Sequence, residues 1–444
     1  MGSIARTSLS CVVAGGGPAG MVLGLLLARS GVEVAVLEKY PDFLRDFRGD
    51  TVHASTLGLL DQLGLGERFA RLPQQRERRL LMRFDDGAVA EDFTRLPGRH
   101  QHIALVPQWD FLNLLAEAAS ASPGFHLAQN AEVTGLVSSG GRVTGVRYLD
   151  KDTGATHRLD APLVVAADGR HSTVRDLLGL RPRASAAPHD CLYVRVPREE
   201  GDPEGTVLRF SSSGGLIMIN RGDYWQAALL IGKGTADAAR AGDAAWVRET
   251  IARLAPYTRE RMAGLDPHDI AALRIRIDRL PRWWAPGALL IGDAAHAMSP
   301  IAGVGINLAI QDAVAAARIL LPALRRGHVT GRDLARVQRR RQWPTVLTQF
   351  AQRRAQESFV ATGPGTGPVG TWSGGGSTGA GADGGSTGAW SGVDPTGSAE
   401  PLRVPQPLRT LRHWRGFPHL FGRIVAFGVR PEGLTGPLKP LRHA

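Results

Sequence analysis

The sequence predicts an α/β fold made of a Rossmann-like dinucleotide-binding lobe, an interleaved antiparallel-sheet domain and C-terminal helices. Three observations predict it. A glycine-rich turn, GGGPAG at residues 15–20, joins an apolar strand to an apolar helix. Between about 185 and 280 the pattern changes to alternating strands such as EGTVLRF, GLIMIN and YWQAALLIG, which suit an antiparallel sheet with one side able to face a ligand. The strand ALLIGD then leads into a second glycine-bearing helix start near Gly303 and returns the chain to the first lobe.

Taken in order, SCVVAGGGPAG reads as a strand entering glycines, MVLGLLLARSG as a helix ended by Gly31, and VEVAVLEKY as a second strand. Together they form a βαβ unit. Residues 51–130 mix helical stretches, TLGLLDQLGLGERF and DFLNLLAEAA, with polar connections. AEVTGLVSSGGRVTGVRYLD reads as a hairpin turning at Gly140 and Gly141, and APLVVAADG as a buried strand ending on Asp168 and Gly169. Long helices follow the ALLIGD strand to about residue 359. The expected division is a nucleotide-binding lobe over 8–184 with a substrate-domain segment at about 75–105, a sheet domain over 185–280, the continued lobe with its helices over 281–359, a linker at 362–399 and a final segment at 400–444. The linker assignment rests on a collapse into Gly, Ser, Thr, Pro and Ala, a composition that cannot bury enough surface to order itself. LRTLRHWRGFPHLFGRIVAFGVRPEG is apolar and basic by turns, and periodicity leaves a docked covering helix, a partner contact and a membrane-surface contact all open.

Composition narrows the function. A chain of 444 residues exceeds what one core usually serves, and with 43% apolar residues it can build a sizeable one. No run approaches the roughly 20 apolar residues of a membrane span, and Met1–Ser10 lacks the apolar centre of a secretory signal, so no transmembrane segment and a cytoplasmic location are expected. Cys11 and Cys191 are the only cysteines; neither a disulfide framework nor a metal site is expected. The net charge of +12 comes mostly from arginines scattered along the chain, which argues against a nucleic-acid partner. Arg339, Arg340 and Arg341 read as a solvated helix face.

The chemistry sits in the glycine turns. Gly15, Gly17 and Gly20 form GxGxxG, which permits a tight turn, close backbone approach to a pyrophosphate and close helix packing. Glu38 ends the second strand about 20 residues on, where a carboxylate accepts hydrogen bonds from a ribose. GDAAHAMSPIAGVGINLAIQDA at 292–313 supplies a carboxylate, Asp293, that can bind a polyol chain, and a helix start whose Gly303 and Gly305 leave backbone N–H groups bare. A reduced flavin needs both features, having a ribityl chain and an anionic N1/O2 edge.

GGGPAG with Glu38, DGRHSTVR at 168–175 and GDAAHAMSPIAGVGINLAIQDA resemble, in order and spacing over residues 8–345, the three signatures of the class A flavoprotein aromatic hydroxylases, the para-hydroxybenzoate hydroxylase family. The resemblance implies bound FAD, with NADPH or NADH as reductant. Gly15, Gly17, Pro18, Ala19 and Gly20 would cradle the pyrophosphate, and Glu38 and Lys39 would lie on the adenosine side. Arg48, Gln108 and the backbone of Val133 match family FAD contacts. Asp293 would bind the ribityl chain, and Pro300 would sit at the ring as a catalytic candidate. Gly303, Gly305, Ile306 and Asn307 would face the pyrimidine edge. Asp168 and Arg175 belong to the motif tied to FAD and to the nicotinamide donor, although a strand-end cap also explains Asp168. His53 is the second catalytic candidate, with a partly exposed loop histidine as the competing reading. His296 and the pair Trp283–Trp284 read as structural. Where many members carry NxG, this chain has Asn307, Leu308 and Ala309, so a small change in helix packing is expected.

The implied reaction is hydroxylation of a hydrophobic aromatic or polyketide-like small molecule with O2, by way of a flavin C4a-hydroperoxide. A positioned base would help to deprotonate a phenol, and the sequence does not name it. A dehydrogenase or reductase of the same fold, a flavin-dependent halogenase and a non-catalytic flavin sensor are the alternatives. The halogenase is disfavoured by the absence of WxWxIP and of a convincing lysine among Lys39, Lys151, Lys233 and Lys439. Oligomeric state is left open.

Overall fold

The computed structural model describes residues 8–44, 51–185, 187–212, 214–236, 244–360 and 402–438. Arg48, Lys439 and the linker expected at 362–399 lie outside the described residues.

The first strand, β1 (Cys11–Ala14), is the centre of a six-stranded sheet. It pairs in parallel with β2 (Val34–Leu37) on one side and with Val164–Ala166 on the other, and the latter pairs in parallel with Ala288–Leu290. These strands are short, continuous apolar runs because both of their faces are covered. Their side chains alternate faces with period two. Val13, Val36, Val165 and Leu289 enter a core built with helix α1 (Pro18–Arg29) and the long helix Val304–Arg325. Val12, Leu37, Val164 and Leu290 enter a second core closed by the hairpin of Ala131–Ser139 and Arg142–Asp150. Each fully buried Val or Leu contributes about 1.5–3 kcal/mol.

The Val304–Arg325 helix is long and apolar enough to cross a membrane, with a hydropathy of 1.5, but 78% of that stretch is buried in the protein. It serves as the core helix of the lobe.

A seven-stranded sheet forms the second part, in the order Ala271–Leu273, His189–Pro197, Tyr224–Gly232, Gly214–Asn220, Val207–Ser211, Arg79–Phe84, Gly87–Asp92. The sheet is not antiparallel throughout, as the alternating pattern predicts. Leu208 and Arg209 pair in parallel with Met82 and Arg83, because the last two strands arrive from a separate stretch of chain and are not joined to Val207–Ser211 by a hairpin. One face packs on the helix Ala245–Leu254 through Leu192, Met218, Trp225 and Leu229. The other face gathers Phe84, Val89, Cys191, Phe210 and Leu230 with residues from the end of the chain, Leu402, Val404 and Phe417.

That terminal segment docks. Asp85 accepts the Leu402 N–H at 2.9 Å and Asp86 the Val404 N–H at 2.8 Å. The helix Phe417–Phe427 then lies against Gly87–Asp92, the edge strand of the sheet. Gly422 makes this approach possible, since a Cβ there would lie 2.5 Å from the Asp92 carbonyl oxygen. Covering an edge strand satisfies a recurrent problem of open sheets.

Candidate active site

The first glycine turn is shaped by two packing demands and one opening. Gly15 has φ +103, and a Cβ on it would lie 2.4 Å from the Ala167 oxygen. A Cβ on Gly20 would lie 2.0 Å from the Gly15 oxygen, so α1 can rise against the turn only at a glycine. At Gly17 a Cβ would meet nothing within 4 Å; that side of the turn is open. Pro18 begins α1, Ala19 follows it into the core, and no side chain caps the helix, so its first N–H groups are left for an anion. Glu38, at the end of β2, accepts the Gly16 N–H at 2.8 Å and the Tyr40 N–H at 3.2 Å. Lys39 is exposed, with its Nζ 5.2 Å from the centre of the Tyr40 ring.

The second turn follows the strand Ala288–Leu290. Gly292, with φ +59, gives its N–H to the buried Asp312 at 3.1 Å. This directs Asp293 outward, where its carboxylate is 30% exposed and lies 3.3 Å from Arg170. Pro300 is exposed and caps a short helical turn. Gly303, with φ +60, stands before the Val304–Arg325 helix, which also lacks a side-chain cap. A Cβ on Gly303 would lie 2.4 Å from Thr51 Oγ1, whereas one on Gly305 would approach only Met298, at 3.8 Å. The N-terminus of a 22-residue helix, with its dipole, therefore opens beside Asp293 and Pro300. Ala309, standing where many family members carry glycine, fills the space toward Gly292; a Cβ there would lie 3.1 Å from that of Ala309.

Asn307 is engaged within the protein. Its Oδ1 accepts the His53 N–H at 3.0 Å and the Thr56 hydroxyl at 2.7 Å, and its Nδ2 donates to the carbonyls of Thr51 and Gly303. Those bonds use the whole amide, leaving the main chain of Ile306 and Asn307 as the surface toward a ligand. His53 is 1% exposed, at the head of helix α2 (Ala54–Gln62), so it is not a partly exposed loop residue. Its Nδ1 is 2.7 Å from the Val425 carbonyl of the C-terminal helix. Burial lowers the imidazole to about 4, against the carbonyls of Val425 and Ala302. It is therefore neutral, with Nδ1 protonated and Nε2 left as a buried acceptor without a partner among the described residues.

Asp168 lies two residues beyond the strand Val164–Ala166 and accepts the Val174 N–H at 3.1 Å, while its buried Oδ1 has no partner among the described residues. Burial raises its carboxyl above the usual carboxylate range despite hydrogen bonds from Ser172 and Val174. Arg175 is buried and donates to the carbonyls of Arg170 and Ala294, bridging the DGRHSTVR segment to the second turn. Gln108 opens the helix Gln108–Ser120, and Val133, 7% exposed, lies on the Ala131–Ser139 strand. His296 is buried against Trp283, with Nε2 2.6 Å from Asp312. Arg341 is also buried and donates to Asp312 at 2.9 Å. Arg170 and Asp312 are the partners that motif reading passed over. The arginine follows Asp168–Gly169 directly, but only folding puts it beside Asp293.

Two bare helix N-termini, an open glycine at each turn and an outward carboxylate between them fit a dinucleotide with a polyol chain. The protein matches the family model described as FAD binding domain over residues 8–351. It is 35% identical over 367 residues to 6-methylpretetramide 4-monooxygenase of Streptomyces rimosus, covering 80% of this chain and 84% of that one. The chain belongs to the para-hydroxybenzoate hydroxylase-like FAD monooxygenases.

This FAD monooxygenase is also 30% identical to kynurenine 3-monooxygenase of Salinispora arenicola over 326 residues, covering 68% of this chain and 70% of that one. Among solved structures, P. aeruginosa PqsL in complex with 2-aminobenzoylacetate has a TM-score of 0.68 at 22% identity, covering 80% of this chain and 97% of that one. The chondrochloren halogenase CndH matches equally well, with a TM-score of 0.68 at 22% identity over 80% of this chain and 83% of that one; at that identity the likeness concerns the fold. The named relatives are monooxygenases, and NAD(P)H is the reductant typical of their family.

Proposed function

We propose that this monooxygenase hydroxylates a hydrophobic aromatic or polyketide-like molecule held between the inner face of the seven-stranded sheet and the second glycine turn, and that it does so in the cytoplasm without a nucleic-acid partner. One observation carries the placement. The sheet face that bears half-buried Met82, Tyr193, Leu208 and Ile217 continues through Ile275 and Ile277, and the Asp278 N–H donates to Ala297 at 3.0 Å, three residues before Pro300. An apolar surface thus adjoins the turn at which the flavin ring would lie. The substrates named for the Streptomyces relative point to the same class.

Gly15, Gly17, Pro18, Ala19 and Gly20 would hold the pyrophosphate of FAD, with Glu38 and Lys39 on its adenosine side. Gln108 and the backbone of Val133 complete that end. Asp293 would bind the ribityl chain, steadied by Arg170, and the main chain of Gly303, Gly305, Ile306 and Asn307 would meet the anionic edge of the ring. Asp168 and Arg175 position these groups. Bound FAD supplies the redox chemistry with O2. The first helix terminus would anchor the pyrophosphate and the second would orient the ring, and the Phe417–Phe427 helix would exclude water. Pro300 shapes the ring face, and His53 fixes the C-terminal helix to the site.

The test is aerobic NAD(P)H oxidation by the FAD-loaded protein with phenolic and polycyclic compounds under labelled oxygen. Ligand-stimulated oxidation with one labelled oxygen in the product is the expected outcome. Oxidation with no oxygen gained in any product would favour a dehydrogenase and overturn the proposal.

A further inference from the structure

The hydroxylase reading needs a proton acceptor for a phenol, and the motifs name none. A side chain outside every motif meets the requirements. Glu91 sits in the edge strand Gly87–Asp92 and is 4% exposed. It pairs across the ladder with Leu80, next to the Met82–Val89 pair, so strand alternation puts it on the inner face of the sheet. Leu80 packs in one cluster with Ala54, Phe93, Val425 and Ala426, and Val425 also packs on Met298, Val304 and Leu308 at the start of the core helix. Glu91 thus occupies the wall between the apolar sheet face and the second glycine turn. No hydrogen bond or ion pair engages its carboxyl among the described residues. A buried carboxylate without a partner is costly, so its retention calls for a reason, and a catalytic role is one that suits this place.

We propose, on the hydroxylase reading above, that Glu91 is the catalytic base that takes the phenolic proton of the bound substrate. The O–H bond breaks and its electron pair stays on the substrate oxygen, while the proton forms an O–H bond on the Glu91 carboxylate. The phenolate is the electron-rich ring on which hydroxylation depends, and the carboxylic acid returns the proton to product or water.

The surroundings of Glu91 suit this role. Burial raises its carboxyl to about 7, which puts it close to the pH at which a base is most effective. The other charged groups on the elements packed against the strand are turned elsewhere or already paired. Asp92, on the opposite face, is bound to Arg79 at 2.8 Å and lies 3.5 Å from His419 of the C-terminal helix; Arg423 of that helix is exposed, as is Arg83 of the neighbouring strand. His53, bound through Nδ1 to Val425 of that cluster, is lowered by burial to about 4 and is a weaker base.

The experiment compares the FAD-loaded wild type with E91Q and E91D, using a naphthol as probe. Probe-dependent turnover should rise through about pH 7 in the wild type. E91Q should lower it by about 10²–10⁴-fold and lose that limb without losing FAD, and E91D should recover part of the rate with the limb. A limb that persists in E91Q, or one near pH 4 where His53 titrates, would overturn the proposal. Should the wild type not turn over the naphthol, the infrared band of the protonated Glu91 carboxyl decides, identified by its loss in E91Q. A shift of the band on adding naphthol supports the assignment, and a band blind to naphthol overturns it. The labelled-oxygen test above reports on the hydroxylase reading separately.

Discussion

Asn307 and the two glycines of the first turn show how single residues divide the work. Gly20 and Gly17 belong to the same motif but meet different surroundings. Alanine at Gly20 would drive a methyl into the Gly15 carbonyl, whereas at Gly17 it would enter open space on the ligand side. Gly20→Ala is therefore expected to lower both thermal stability and FAD content, and Gly17→Ala to leave the FAD-free protein's melting temperature unchanged while weakening FAD binding. Calorimetry with and without FAD separates the two, and equal destabilisation of both FAD-free variants would contradict the assignment. Asn307→Ala leaves the His53 N–H and the Thr51 carbonyl without their buried partner. The expected cost is about 2–3 kcal/mol in denaturant unfolding, with weaker retention of FAD because Thr51 and Gly303 lose their tie. The sequence marked Asn307 as a residue of the site, and its side chain proves to be a brace. Spacing on a helix places a residue near a turn, but three of the four partners its amide finds, His53, Thr56 and Thr51, lie more than 240 positions away.

At the scale of elements, the Phe417–Phe427 helix is the part that periodicity left undecided. It docks over an edge strand and reaches the site, with the Val425 carbonyl on His53 and the Phe427 carbonyl on Gln311. Gly422 permits that contact, so Gly422→Leu should lift the helix from Asp92. Opening this side should admit water to the proposed site. The measurable result is a larger fraction of NAD(P)H oxidation ending as hydrogen peroxide rather than product, in a protein that retains FAD; an unchanged fraction would show that the helix has no part in closure. Strands and helices of the first lobe were legible because their apolar runs and glycine stops are local signals. The parallel join of Val207–Ser211 to Arg79–Phe84 was not, because strand order between distant segments leaves no trace in either segment's alternation.

For the whole molecule, the decisive interior feature is a buried set of charges that joins three distant stretches. Asp312 of the core helix holds His296 at 2.6 Å and Arg341 at 2.9 Å, and Arg340 reaches Glu432 near the chain end at 2.6 Å. Burial works to raise the Asp312 carboxyl, and His296 and Arg341 overcome it, leaving it below the usual carboxylate range. A carboxyl depressed in the folded state contributes stability above its unfolded value, and that contribution disappears as pH falls through the folded value. Asp312→Ala should cost about 3–5 kcal/mol at neutral pH, since it removes the nearest counter-charge of the buried Arg341 and leaves only Glu432 at 3.6 Å, and the gap to wild type should narrow toward strongly acidic pH. A constant gap across that range would mean that the network contributes no pH-dependent stability. From sequence, Arg339–Arg341 reads as one solvated face; Arg339 is exposed, but Arg341 is wholly buried. By itself the sequence determined the α/β class, FAD as cofactor and the two glycine turns, because glycine geometry, helix starts and apolar runs act over a few residues. Tertiary structure alone decided which charges are buried, where the C-terminal helix docks and that the buried Glu91 carboxyl finds no partner among the described residues, because burial and hydrogen-bond partners belong to contacts between segments that are far apart in the chain.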